Sequence, residues 1–116
     1  MKNRPFPQRL GFALAGLRLA WPREHSFRTQ VLCALAVLAV LALLGAPAIW
    51  WAIVVLTIGV VLAAELMNSA FEALIDHLHP EEHPQIGRAK DIAAGAVLVT
   101  GIVALAVGGL LLAATL

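Results

Sequence analysis

The sequence predicts an all-α membrane protein, with three transmembrane helices preceded by an amphipathic helix on the membrane surface. Three observations predict it. Hydrophobic residues make up 61% of the 116 residues and charged ones 13%, against about 25% charged in a soluble domain. Two long stretches, Thr29 to Ala64 and Ile92 to Leu116, carry no charge. The first is too long for one crossing at about 20 residues per span. It is broken by Gly45-Ala46-Pro47, where glycine relaxes the backbone and proline withdraws a donor.

A single domain over 1–116 follows, with spans at about 28–44, 48–67 and 92–114 and a loop at about 77–88. Before the first span, Leu10, Leu14, Leu17 and Trp21 recur at helical spacing. Residues 6–21 are therefore a surface helix whose arginines snorkel, ended or bent by Pro22. A cleavable signal peptide competes for the first span, but about 30 residues precede its apolar core and no processing site follows. Lys2, Arg4, Arg9, Arg18, Arg23 and Arg28 precede that span, and Arg88 and Lys90 lie between the second and third. The positive-inside rule then places the N-terminus and the 77–88 loop in the cytoplasm, with Trp50 and Trp51 as aromatic anchors at the far interface. A net charge of +1 makes no case for nucleic acid, and the basic N-terminus suits anionic headgroups. Cys33, the single cysteine, has no partner within the chain for a disulfide.

Where the second span ends, the sequence reads AAELMNSAFEALID. On a helix, Glu65, Asn68, Glu72 and Asp76 return to within roughly 60° of one another, with Ser69 beside them. Glu65 falls about 26 Å from Ala48, at the edge of a hydrocarbon core of about 30 Å. An acid within a span costs about 2.5 to 3.5 kcal/mol at its centre and less toward the interface, so it needs a polar interior, a partner or water. The plain alternative is helix-to-helix glue through Glu65 and Asn68. Lys90 and Asp91, at the entrance of the third span, and Glu24, before the first, lie at the same depth. Taken alone, Lys90-Asp91 would be an interfacial pair flanking a span. Acids beside a lysine, an asparagine and arginines are what phosphoryl transfer needs: carboxylates for a divalent cation and a base, and cations for phosphate charge. The phosphate loop GxxxxGK[ST], the kinase HRD and DFG motifs and the GxGxxG turn are absent from the sequence. His77, His79 and His83 raise a zinc alternative without a clear four-ligand set.

Three motifs in order, GLRLAWPREHSFR (16–28), ELMNSAFEALID (65–76) and GRAKDIAAGAVLV (87–99), closely resemble the small prokaryotic diacylglycerol kinase family, which includes the undecaprenol kinases. The likeness runs over nearly the whole chain. It implies a homotrimeric helical bundle in the bacterial inner membrane, with active sites shared between subunits, that transfers the γ-phosphate of ATP, with Mg2+, to a lipid hydroxyl. By position, Glu65 matches the catalytic base, and Glu24 and Glu72 the magnesium carboxylates. Phe12, Asn68, Glu81, Glu82, His83, Lys90 and Asp91 fall around the nucleotide, together with Glu24 and Glu72. Arg9, Arg18, Trp21, Ser26, Arg28, Gln30, Trp51 and Ala94 fall with Glu65 in the lipid site. The family pattern is not matched everywhere. Pro5 stands where an arginine begins the surface helix, Phe12 where a tyrosine can meet nucleotide, and Gln30 where some relatives have glutamate.

Diacylglycerol is the first choice of acceptor and undecaprenol the second. Two readings of other classes stay beside the kinase. A non-enzymatic membrane assembly subunit would use the polar stripe for helix contacts alone, and a proton or cation pathway would carry flux without nucleotide. Neither explains why Glu24, Lys90 and Asp91 gather at the depth of the stripe.

Overall fold

The computed structural model describes residues 2–116, which form four helices: α1 (Phe6–Arg23), α2 (His25–Leu44), α3 (Ala48–Leu78) and α4 (Pro84–Thr115). No strand occurs among the described residues. The last three helices are long and apolar enough to cross a membrane. Contact is most extensive between α3 and α4, followed by α2 with α3 and then α1 with α2.

The helix ends correct several expected bounds. Helix α1 runs through Pro22 to Arg23. A proline this close to the end removes one hydrogen bond from the last turn, and that turn still closes through the Glu24 N–H on Ala20 O at 2.8 Å. Helix α2 starts at His25, ahead of the apolar part of the span. At 31 residues, α3 is about 46 Å long and carries the polar stripe out of the membrane on one unbroken rod. The loop expected at 77–88 is confined to the five residues between Leu78 and Pro84. Helix α4 begins early because His83 caps it, its Nδ1 accepting from the Gln85 N–H at 3.1 Å, and Pro84 occupies a first-turn position where the missing N–H costs nothing.

Between α2 and α3 the chain reverses as the sequence predicts. Gly45 lies in the left-handed region at φ 61°, its N–H bonds to Ala42 O, and the Ala46 N–H bonds to Leu41 O. This double closure ends a helix on glycine at low steric cost. Leu41, Val54 and Leu111 form a small core beside the turn, with Leu38, Trp50, Trp51, Ile58 and Val107 packed on it. Five hydrophobic side chains are buried among the described residues, so most of the apolar surface faces outward, toward lipid or another chain.

Candidate active site

The site forms where α1, α2 and the middle of α3 meet at the membrane edge. Glu24 is the one residue between α1 and α2. Its backbone is extended (φ −106°, ψ 94°), and it serves as C-terminal cap of one helix and N-terminal cap of the next. Its carboxylate makes no capping bond to α2 and stays free for other work. It also stands at a helix N-terminus, where the dipole favours anions.

Opposite it, Glu65 is 5% exposed, the one buried charged side chain among the described residues. The stripe on α3 explains this: burial of that face turns Glu65 inward, while Glu72 and Asp76, farther along the rod, are exposed. The carboxylates of Glu24 and Glu72 lie near enough to act on Glu65 electrostatically, and the Ser26 side chain stands beside it. One turn on, Asn68 has a buried Oδ1 with no hydrogen-bond partner. Such an atom forfeits its hydration for nothing unless something else arrives to meet it.

From α4, Lys90 reaches back to Asp76 on α3 as a salt bridge, which ties the two helices together at the loop end of the stripe. Lys90 precedes the apolar span that starts at Ile92. Its hydrogen bond to Asp76 holds its ammonium above the usual lysine range. Asp76 was legible as part of the stripe but not as the partner of Lys90, since that pairing depends on the short loop. The same end of the molecule carries an open hollow of about 620 Å³. Its lining includes Asp76, Glu81, Glu82, His83 and Lys90, so the loop residues expected around the nucleotide do share one cavity. Asp91, next to Lys90 in the chain, is exposed.

A second cleft, of about 670 Å³, runs between α1 and α3, lined by Ala13, Gly16, Leu17 and Ala20 on one side and Met67, Ser69, Ala70 and Ala73 on the other, with Arg23 and Glu24 at its polar end. Arg9, Arg18 and Trp21 project from α1 and are exposed. Phe12 lies under Arg4, whose guanidinium carbon is 5.8 Å from the ring centroid. Gln30 lines a small apolar hollow of about 90 Å³ with Cys33 and Thr57, and Ala94 is exposed on α4.

Two residues expected in the lipid site have further contacts. Trp51 is packed on the core beside the Gly45 turn, fourteen residues before Glu65 on the same rod, about 21 Å away. It lies at the far end of the bundle, where the sequence predicts an aromatic anchor. Arg28 turns one guanidinium nitrogen, Nη1, to the backbone, donating to Trp21 O at 3.1 Å and Pro22 O at 2.9 Å.

Among the described residues no three His, Cys, Asp or Glu side chains form a ready metal-ligand set, and His77, His79 and His83 give none for zinc. Magnesium asks for less, since it is bound by one or two carboxylates together with substrate phosphates and water. Glu24 and Glu72, unpaired anions on either side of Glu65, fit that demand. A dication between them would turn mutual repulsion into attraction.

Fold and site together define a multi-pass helical membrane protein with an acidic, lysine-flanked centre at the lipid–water boundary. The family model for prokaryotic diacylglycerol kinase matches residues 11–112. The chain is 36% identical over 94 residues to a diacylglycerol kinase of Escherichia coli K12, covering 81% of this chain and 77% of that one. It is 33% identical over 101 residues to one from Haemophilus influenzae, with 86% of each chain covered. A third, from Synechocystis, is 37% identical over 102 residues, 87% of this chain and 58% of the other. This chain belongs to the prokaryotic diacylglycerol kinase family and is a lipid kinase.

Proposed function

We propose that this kinase phosphorylates diacylglycerol to phosphatidic acid with ATP as donor, and that Glu65 is its base. The observation that carries the reading is the buried Glu65 carboxylate with Ser26, Glu24 and Glu72 around it. The acceptor hydroxyl sits at headgroup depth, where Glu65 takes its proton as the oxygen attacks the γ-phosphate in line. General-base help of this kind is worth about 10² to 10⁴ in rate.

Glu24 and Glu72 would hold Mg2+, which when bound neutralises phosphate charge. Lys90, with Asp76 steadying it, faces the developing charge as a fixed cation. Asn68 offers its free acceptor to the nucleotide, and Asp91 with Glu81, Glu82 and His83 borders it. Phe12 is assigned to its base. Arg9, Arg18, Trp21, Ser26, Gln30 and Ala94 are assigned to the lipid. Water-soluble alcohols are excluded by depth, because they are not concentrated at this level of the membrane.

The N-terminus and the 79–83 loop face the cytoplasm of a bacterial inner membrane in this reading, and three chains assemble so that neighbouring subunits complete each site. The test is Glu65→Gln in the reconstituted protein. The expected result is a loss of about 10²-fold or more in lipid phosphorylation with helicity and oligomer size unchanged. A variant that keeps most of its turnover would remove Glu65 from the role. Offering undecaprenol in place of diacylglycerol to the unaltered protein decides between the two acceptors.

A further inference from the structure

Breaking the helix at Glu24 frees its carboxylate but leaves a difficulty. The last carbonyls of a helix have no intrahelical donor. In α1 the Glu24 N–H satisfies Ala20 O, and the next two carbonyls, Trp21 O and Pro22 O, both accept from the same Arg28 Nη1. One guanidinium nitrogen, projected from the first turn of α2, supplies the donors that a continuing helix would have provided. The charge is well placed too, since a cation at a helix C-terminus is favoured by the dipole. Beside it the Trp21 and Phe27 rings meet edge to face, with centroids 6.3 Å apart, and Phe27 is buried. The Arg28 backbone N–H closes the first turn of α2 on Glu24 O. The extended Glu24 is thus clamped from both sides by a single residue.

We infer that Arg28 is a positioning residue: through Nη1 it fixes the α1–α2 corner so that the Glu24 carboxylate is held against Glu65. The inference rests on the kinase reading above for its kinetic consequence alone. Nη1 is committed to the two carbonyls, while the donors on Nη2 and Nε stay available to other groups; loosening the corner moves a carboxylate of the reacting centre. Small displacements of this kind cost up to about 10²-fold in rate.

The experiment uses the full-length protein in phosphatidylcholine vesicles, as Arg28→Ala and Arg28→Lys. Amide hydrogen exchange, measured without nucleotide, metal or acceptor, is expected to speed up over residues 21–28 in Arg28→Ala and to return toward the parent in Arg28→Lys, whose ammonium can reach the same carbonyls. With diacylglycerol and MgATP, kcat is expected to fall by about 10- to 100-fold in Arg28→Ala, with Arg28→Lys in between. A rise confined to lipid KM would make Arg28 a lipid contact and overturn the inference. So would unchanged exchange at 21–28, or a loosened corner with kcat intact. Should α3 and α4 also lose protection in the alanine variant, the lysine variant decides by the same criteria. The exchange arm needs no activity, so a protein that phosphorylated no lipid at all would overturn the kinase reading separately.

Discussion

Asn68 shows how one side chain can be held for a partner at the expense of stability. Its buried Oδ1 is unpaired, and an unsatisfied buried acceptor costs about 1 to 3 kcal/mol. Asn68→Leu should therefore leave the unfolding midpoint unchanged or raise it while weakening ATP, a pair of opposite movements measurable by thermal unfolding and by the KM for nucleotide. A lowered midpoint with ATP affinity intact would mean that Asn68 serves the helix packing. At Glu72 the expectation concerns the metal. Because it is exposed and lies near Glu65, Glu72→Gln should fold normally yet need at least about 10-fold more Mg2+ for half-maximal rate, read from a magnesium titration at fixed ATP. Glu65 and Asn68 were legible in the sequence because polar groups at the edge of an apolar span demand a reason. Ser26 beside Glu65 and the commitment of Arg28 to backbone carbonyls were not, since both depend on the angle at which α1 meets α2, and no residue pattern states that angle.

Among the elements, the spans were legible because hydrocarbon tolerates little besides a helix, and charge-free stretches interrupted by Gly45 and Pro47 leave few choices. The ends were less so. Residues Asp76 to Arg88 are polar enough to pass for loop, but α3 continues to Leu78 and α4 starts at Pro84. Polarity marks where the membrane stops, whereas the helix stops where its backbone bonds do, and His83 with Pro84 restarts them early. The turn at Gly45 carries its own expectation. An L side chain at φ 61° costs about 1 to 2 kcal/mol, while the space around the added Cβ is open. Gly45→Ala should thus destabilise by about that amount through backbone strain alone, a shift that denaturant unfolding in detergent can measure. A neutral result would mean that the turn has another available form.

For the whole molecule the decisive property is how little of it is inside. The radius of gyration is 17.0 Å, against about 13 Å for a compact chain of this length. Large side chains such as Leu98, Ile102 and Leu105 on α4 stand well over half exposed. Lipid can cover part of that surface, but lipid cannot complete a phosphoryl-transfer site whose second carboxylate, Glu72, is still open. The trimer proposed above would answer both needs, and mass measurement of the complex released from a bilayer should then give three copies. A monomer with full activity would remove the shared site. The central proposal is that acids from α3 and the α1–α2 corner, and a lysine from α4, converge at the membrane edge to phosphorylate a lipid alcohol. Its most direct test is the purified protein in vesicles containing diacylglycerol, supplied with magnesium and ATP labelled at the γ-phosphate. Labelled phosphatidic acid from the parent protein, lost in Glu65→Gln, is the predicted result; label that never enters a lipid, with diacylglycerol or undecaprenol as acceptor, would contradict it.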